Sequence, residues 1–188
     1  DERGRADGAR RKGDPATMSG AVSISLAEAE RLTAAALMRE GLAEAAARST
    51  ARALIAAERD GQKGHGLSRV ASYAEQIRCG KVKKDAAPAA RRLSPAATLI
   101  DAGHGFAYPA IDLAIDELGD LARKSVIALA AVRRSHHFGQ AGAHVERLAE
   151  KGLVAFLFGN SPKAMAFWGG KAPMIGTNPV AFAAPLAG

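Results

Sequence analysis

The chain has 188 residues, 48% of them hydrophobic, which suits one cored domain and excludes a mostly disordered polypeptide. Lys and Arg number 26 against 19 acidic residues, a net charge of +7, and no run of 18 apolar residues occurs, so no membrane span is expected. The single cysteine, Cys79, leaves no internal disulfide and fits a reducing cytoplasm.

Residues 1–17, DERGRADGARRKGDPAT, are polar and mixed in charge, without the apolar stretch of a secretory signal. With the first methionine at Met18, they read as an extension ahead of the fold. Ser25-Leu26-Ala27-Glu28 is a capping box, in which the serine takes an orphan amide of the first turn and the glutamate reaches back. It predicts a helix to Gly41, with Leu32, Ala36, Leu37 and Met38 inward. A second helix should run from about Leu42 to Arg59, burying Ala46, Ala47, Thr50, Ala51, Leu54 and Ile55 and ending at Asp60-Gly61. Leu67, Val70, Tyr73, Ala74 and Ile77 are spaced for a third helix, closed by Gly80.

Between Arg78 and Arg92 six basic residues face one acidic one, which reads as a solvated loop. No aromatic residue is interleaved for base stacking and no nucleic-acid-binding motif accompanies it, so a nucleic-acid partner is not expected. Beyond it, Thr98-Leu99-Ile100 is a short strand candidate. Pro109 suits the first position of a helix running to about Lys124. Val126 to Val132 is an apolar run of seven, as in a strand buried on both faces. Ala141 to Lys151 is helical, with Val145 and Leu148 inward, and strands follow at 153–158 and 180–184. A helical region of residues 18–95 is thus followed by an α/β layer over 96–188.

The candidate chemistry lies in three places. His65, in GHGLSR, precedes Arg69 by four residues, so the two can face one cleft. Arginine offers a planar fork for a carboxylate and histidine a proton near neutral pH, although a polar helix start gives the same pattern. Arg133-Arg134-Ser135-His136-His137-Phe138-Gly139 follows the strand at 126–132, and ligands in α/β sheets gather at carboxyl ends of strands. Phe138-Gly139 would let the backbone approach a flat ligand. Neighbouring histidines point different ways and no third ligand has a metal spacing, so no metal site is expected. His144 reads as a surface or packing residue and His104 as a loop residue. Asn160 and the Thr177-Asn178-Pro179 turn could bond a ligand at the same sheet edge. No GxGxxG follows a strand, so a dinucleotide would not bind in the Rossmann manner.

Taken together, GHGLSR with Tyr73 and Gly80-Lys81-Val82, the segment from Ile100-Asp101, VRRSHHFGQAG, FGNSP, WGG and GTNPVAFAAP resemble the malate/L-lactate dehydrogenase family. The resemblance runs from about Ser25 to Pro185 and implies a sulfolactate-dehydrogenase-like α/β fold with a mixed sheet, distinct from the Rossmann fold. It implies hydride transfer between NAD or NADP and a small 2-oxo/2-hydroxy acid, or, in one branch, reduction of a cyclic imino acid. In it His65 corresponds to a proton-transfer histidine and Arg69 to the group that holds the substrate carboxylate. His137 matches a position described as a proton acceptor. His137, Phe138, Gly139, Gln140 and Ala141, with Asn160, Thr177, Asn178 and Pro179, match cofactor contacts. Arg133 and Arg134 make a 2′-phosphate a plausible guest. A homodimer is implied for the whole enzyme. Gly64 stands where the family usually has a serine that orients the histidine after it. Members are commonly nearly twice this length, so the chain is expected to be the first half of such an enzyme, with an inactive fragment that serves only as an assembly partner as the alternative.

Overall fold

The computed structural model describes residues 22–186; the expected extension at 1–17 lies outside them. Helix α1 (Leu26–Arg39) begins as the capping box predicts, with the Glu28 amide donating to Ser25 Oγ at 3.1 Å. The reciprocal half does not form, because the Glu28 carboxylate pairs with Arg31 one turn on. Its buried stripe is Ala29, Thr33, Ala34 and Leu37, whereas Leu32, expected inward, is exposed. An alanine-rich helix offers more than one small-residue stripe, and α2 (Glu44–Arg59) selects the one carrying Ala29 and Thr33. In α2 the expected face, Ala46 to Ile55, is buried as the spacing requires.

The third helix is shorter than its apolar spacing suggests. Two 3-10 turns, Lys63–His65 and Leu67–Arg69, precede α3 (Val70–Arg78), and Leu67 is exposed. Tyr73, Ala74 and Ile77 do point inward, and Tyr73 and Ile77 join Leu37, Leu42, Leu54, Val82, Phe106 and Tyr108 in one core.

The basic segment is not all loop. Ala89–Ser94 forms β1, which pairs antiparallel with β2 (Ala97–Asp101), so residue 95 sits in the turn of a hairpin. Every β1 residue is exposed, so no apolar alternation marked it, and Arg91 and Arg92 guard an open edge. Helix α4 (Ala107–Ser125) starts two residues before Pro109, which still lies in the first turn where its missing N–H costs nothing. Val126 then adopts φ 67°, and the Ile127 amide bonds back to the Ser125 carbonyl at 2.7 Å. This tight turn delays β3 to Leu129–Arg133.

The sheet order is β1-β2-β3, with β2 and β3 parallel. Only the middle strand is well covered: Ile100 and Thr98 are buried under Ala110 and Ala114 of α4. The expected double burial of 126–132 therefore fails, since β3 is an edge strand with one neighbour and is mostly exposed. Helix α5 (Ala141–Ala149) buries His144, Val145 and Leu148 against α4. Strands β4 (Ala155–Phe158) and β5 (Val180–Ala183) form a separate antiparallel pair, buried on one face only. The whole is α/β with a mixed sheet. Among the described residues no helix is long and apolar enough to cross a membrane.

Candidate active site

His65 is held by a knot of local bonds. Glu58, in the last turn of α2, accepts the Leu67 amide at 3.0 Å, and Ser68 Oγ donates to the Lys63 carbonyl at 2.6 Å. Arg69 donates its Nε to the Gly64 carbonyl at 2.6 Å, folding the guanidinium back beside the histidine. The two residues singled out as one cleft pair are thus fixed by the backbone between them, and this local bonding displaces regular α-helix there.

The second chain segment meets this knot from the end of β3. The His137 ring stacks on His65, with centroids 5.2 Å apart and planes 9° from parallel. His137 Nδ1 lies 2.8 Å from the Tyr73 hydroxyl, which lies 2.9 Å from the Tyr108 hydroxyl. Burial and the nearby charge of Arg69, with a smaller contribution from His65, push His137 down to about 4, so its ring is neutral at pH 7. His65 is lowered too, by burial and then by Arg69. Burial raises both tyrosines, Tyr108 far above the ordinary phenol range. His65 Nδ1 is buried with no hydrogen-bond partner. That matches Gly64, which carries no hydroxyl to meet it.

Burial lowers His136, with the Lys81 backbone acting in the opposite direction. His144 is a packing residue, buried in α5 with Nε2 2.7 Å from the Phe138 carbonyl. His104 sits in the turn after β2 with φ 66°. Among the described residues no cluster of three metal-ligating side chains is present.

The loop from Phe138 to Ala141 links this centre to the β4-β5 pair. Gly139 has φ 69°, and a side chain there would meet the Tyr108 hydroxyl at 2.8 Å, so the close approach expected of this glycine is to Tyr108. Phe138 covers Gly159, where an added Cβ would run into the ring, and Pro179 packs on the same spot. Gln140 donates Nε2 to Asp60 at 3.1 Å, while its Oε1 is buried without a partner. Ala141 is the first residue of α5. Across β4 and β5, Ser161 organises the turn: its Oγ accepts the Thr177 amide at 2.8 Å and meets Thr177 Oγ1 at 3.0 Å, and its amide donates to Asn178 Oδ1 at 3.0 Å. Asn160 is exposed beside it. Two polar clusters therefore flank Phe138, one around Gln140 and Asp60 and one around Ser161, Thr177 and Asn178.

Arg133 and Arg134 share one carboxylate partner, and both guanidinium groups stay about half exposed. Both guanidinium groups engage Asp101, at 2.8 and 2.5 Å, and these bonds with the Gly103 amide hold its carboxyl well below the usual range. Sequence reasoning took Tyr73 for a core residue and overlooked Tyr108 and Ser161 as site residues. A signal was present: the chain has two tyrosines, both on apolar helix faces, and a buried phenol must find a partner.

A model of the malate/L-lactate dehydrogenase family matches residues 24–188. The chain is 52% identical over 165 residues to a (2R)-3-sulfolactate dehydrogenase (NADP(+)) of Chromohalobacter salexigens, covering 88% of this chain and 49% of that protein. Among solved structures, it superposes on the Δ1-piperideine-2-carboxylate reductase of Pseudomonas syringae with a TM-score of 0.79 at 34% identity, covering 89% of this chain and 51% of that one. The sulfolactate dehydrogenase of Methanocaldococcus jannaschii also gives 0.79, at 28% identity, over 86% of this chain and 47% of that one. The chain spans about half the length of the curated relatives it matches.

Proposed function

The chain belongs to the malate/L-lactate dehydrogenase family, and from that premise we propose that it supplies the substrate-binding and proton-handling side of an NAD(P)-dependent oxidoreductase. The reaction is reversible hydride transfer at the carbon next to a carboxylate of a 2-oxo/2-hydroxy acid. The observation that carries this reading is the meeting of His65 and Arg69, from before α3, with His137, from the end of β3. Residues 72 positions apart stack their rings beside a guanidinium, which is an arrangement for an anionic substrate that exchanges a proton.

In this scheme residues 18–95 provide the acid-binding side and residues 96–188 the cofactor side. Arg69 keeps its Nη donors for the substrate carboxylate while Nε is tied to Gly64. His137, neutral and held at Nδ1 by Tyr73, stacks on His65, and one of these two histidines, His65 or His137, supplies or removes the proton on the reacting oxygen or nitrogen. Phe138 to Ala141, Asn160, Thr177, Asn178 and Pro179 would hold the nicotinamide nucleotide, which when bound supplies or accepts the hydride. Similarity to an enzyme named for sulfolactate and NADP(+) favours a hydroxy acid with a second anionic group, and NADP over NAD. The second reading, reduction of a cyclic 2-imino acid, is supported by similarity to the Pseudomonas syringae enzyme. The working form is proposed to be a cytoplasmic homodimer.

The test is NADPH oxidation with 3-sulfopyruvate, pyruvate, oxaloacetate and Δ1-piperideine-2-carboxylate, using the gene's complete reading frame. Preference for the sulfo acid supports the first reading, and turnover of the cyclic imine alone supports the second. NADPH binding without turnover of any 2-oxo or 2-imino acid would overturn both.

A further inference from the structure

The Tyr108–Tyr73–His137 line has a direction, and its buried end sets it. Tyr108 is 2% exposed and Tyr73 1%, so neither hydroxyl reaches bulk water. Among the described residues, the only acceptor within hydrogen-bonding distance of the Tyr108 hydroxyl is the Tyr73 oxygen, at 2.9 Å. A buried O–H without an acceptor is costly, and Tyr108 has one place to direct its hydrogen. Once Tyr73 accepts that bond, its own hydrogen goes to its other neighbour, His137 Nδ1, at 2.8 Å. A neutral imidazole that accepts at Nδ1 carries its proton at Nε2. The opposite order, from Nδ1–H through Tyr73 to Tyr108, leaves the last hydrogen without an acceptor among the described residues.

We propose that Tyr108 is a positioning residue: acting through Tyr73, it holds neutral His137 in the Nε2–H tautomer, so that the far edge of the ring offers a donor to the oxygen or nitrogen of a bound 2-oxo or 2-imino acid. The consequence for that site rests on the functional reading above. The tautomer itself does not, and it is measurable without turnover. Gly139 belongs to the same device, because a side chain there would push the Tyr108 hydroxyl off its line.

The experiment is long-range 1H–15N correlation of the histidine rings in the 15N-labelled chain at pH 7, with His137 assigned by loss of its signals in His137→Gln. The expected wild-type pattern is a bare Nδ1 and a protonated Nε2. In Tyr108→Phe, Tyr73 is free to accept from Nδ1–H, and the separation between the two nitrogen shifts should fall by half or more as the tautomers mix. A protonated Nδ1 in the wild type overturns the proposal, and so does an unchanged separation in Tyr108→Phe. If that variant folds poorly, the wild-type spectrum alone decides between the two directions. A Nε2–H ring in a protein that turns over no 2-oxo or 2-imino acid would leave the tautomer standing and remove the functional reading.

Discussion

The helical region from α1 to α3 and the β4-β5 pair use the same kinds of apolar residue with opposite results. In the first, Leu37 and Leu54 are fully buried and Tyr73 nearly so, because three helix faces close on one another. In the second, Phe156, Phe158 and Phe182 are 62%, 76% and 58% exposed, although Phe156 and Phe182 pack together at 4.8 Å. A helix packed among helices buries its stripe from several sides. A two-stranded ribbon covered by one helix buries one face, and its other face stays in water. The candidate site lies where the two kinds of packing meet, with His65, Arg69 and Tyr73 from the first region and His137 leading into the second.

The sharpest test of this contrast is a pair of truncations. Leu54→Ala should lower unfolding free energy by about 2–5 kcal/mol, read from urea titration, since it opens a cavity in the closed core. Phe158→Ala should change it by within about 0.5 kcal/mol. Equal losses would show that the aromatic face is covered in solution.

Next in size is an effect on the seam itself. His137→Gln should reduce kcat by roughly 100-fold in the complete enzyme, whereas His136→Ala, outside the Tyr73–His137–His65 contacts, should be much milder. Equivalent effects in NADPH oxidation would place the proton chemistry elsewhere.

The seam should also show in pH dependence. His137 binds its proton near pH 4 when folded and near 6.5 when unfolded, so protons favour the unfolded chain. Stability should be flat above about pH 6.5 and fall as pH drops through that window. His137→Gln should flatten part of the fall, whereas an unaltered slope in urea midpoints would show that other groups carry it.

The smallest effects are local to each region. Ser25→Ala removes the α1 cap and should cost about 1 kcal/mol by thermal or urea unfolding. Val126→Gly, at φ 67°, should instead stabilise by about 1 kcal/mol, because glycine takes that conformation without strain. A loss on Val126→Gly would mean that the turn before β3 is not strained.

The helical half was the more legible, for a physical reason visible in α2. Its periodic face, Ala46 to Ile55, repeats over several turns, and amphipathic packing needs only that stripe. Leu32 shows the limit, since two stripes of α1 were equally small and the choice fell to α2. β1 was missed because an exposed edge strand carries no alternation, and β3 was expected to be buried because an apolar run does not reveal how many neighbours it has.

By itself, then, the sequence determined the α1 cap, the turns at Gly61 and Gly80, the order of helices and strands apart from β1, and the family motifs around His65, Arg69, His137 and Thr177. These depend on residues within a few positions of one another, where backbone preference and hydrogen-bonding chemistry act directly. Only the tertiary structure decided that Tyr73 and Tyr108, 35 residues apart, bond each other and His137, that Ser161 ties the Thr177 turn, and that Asp101 occupies both arginines. Those partners are fixed by how α3, α4 and the sheet pack, and no local pattern in the chain encodes which buried hydroxyl will meet which ring.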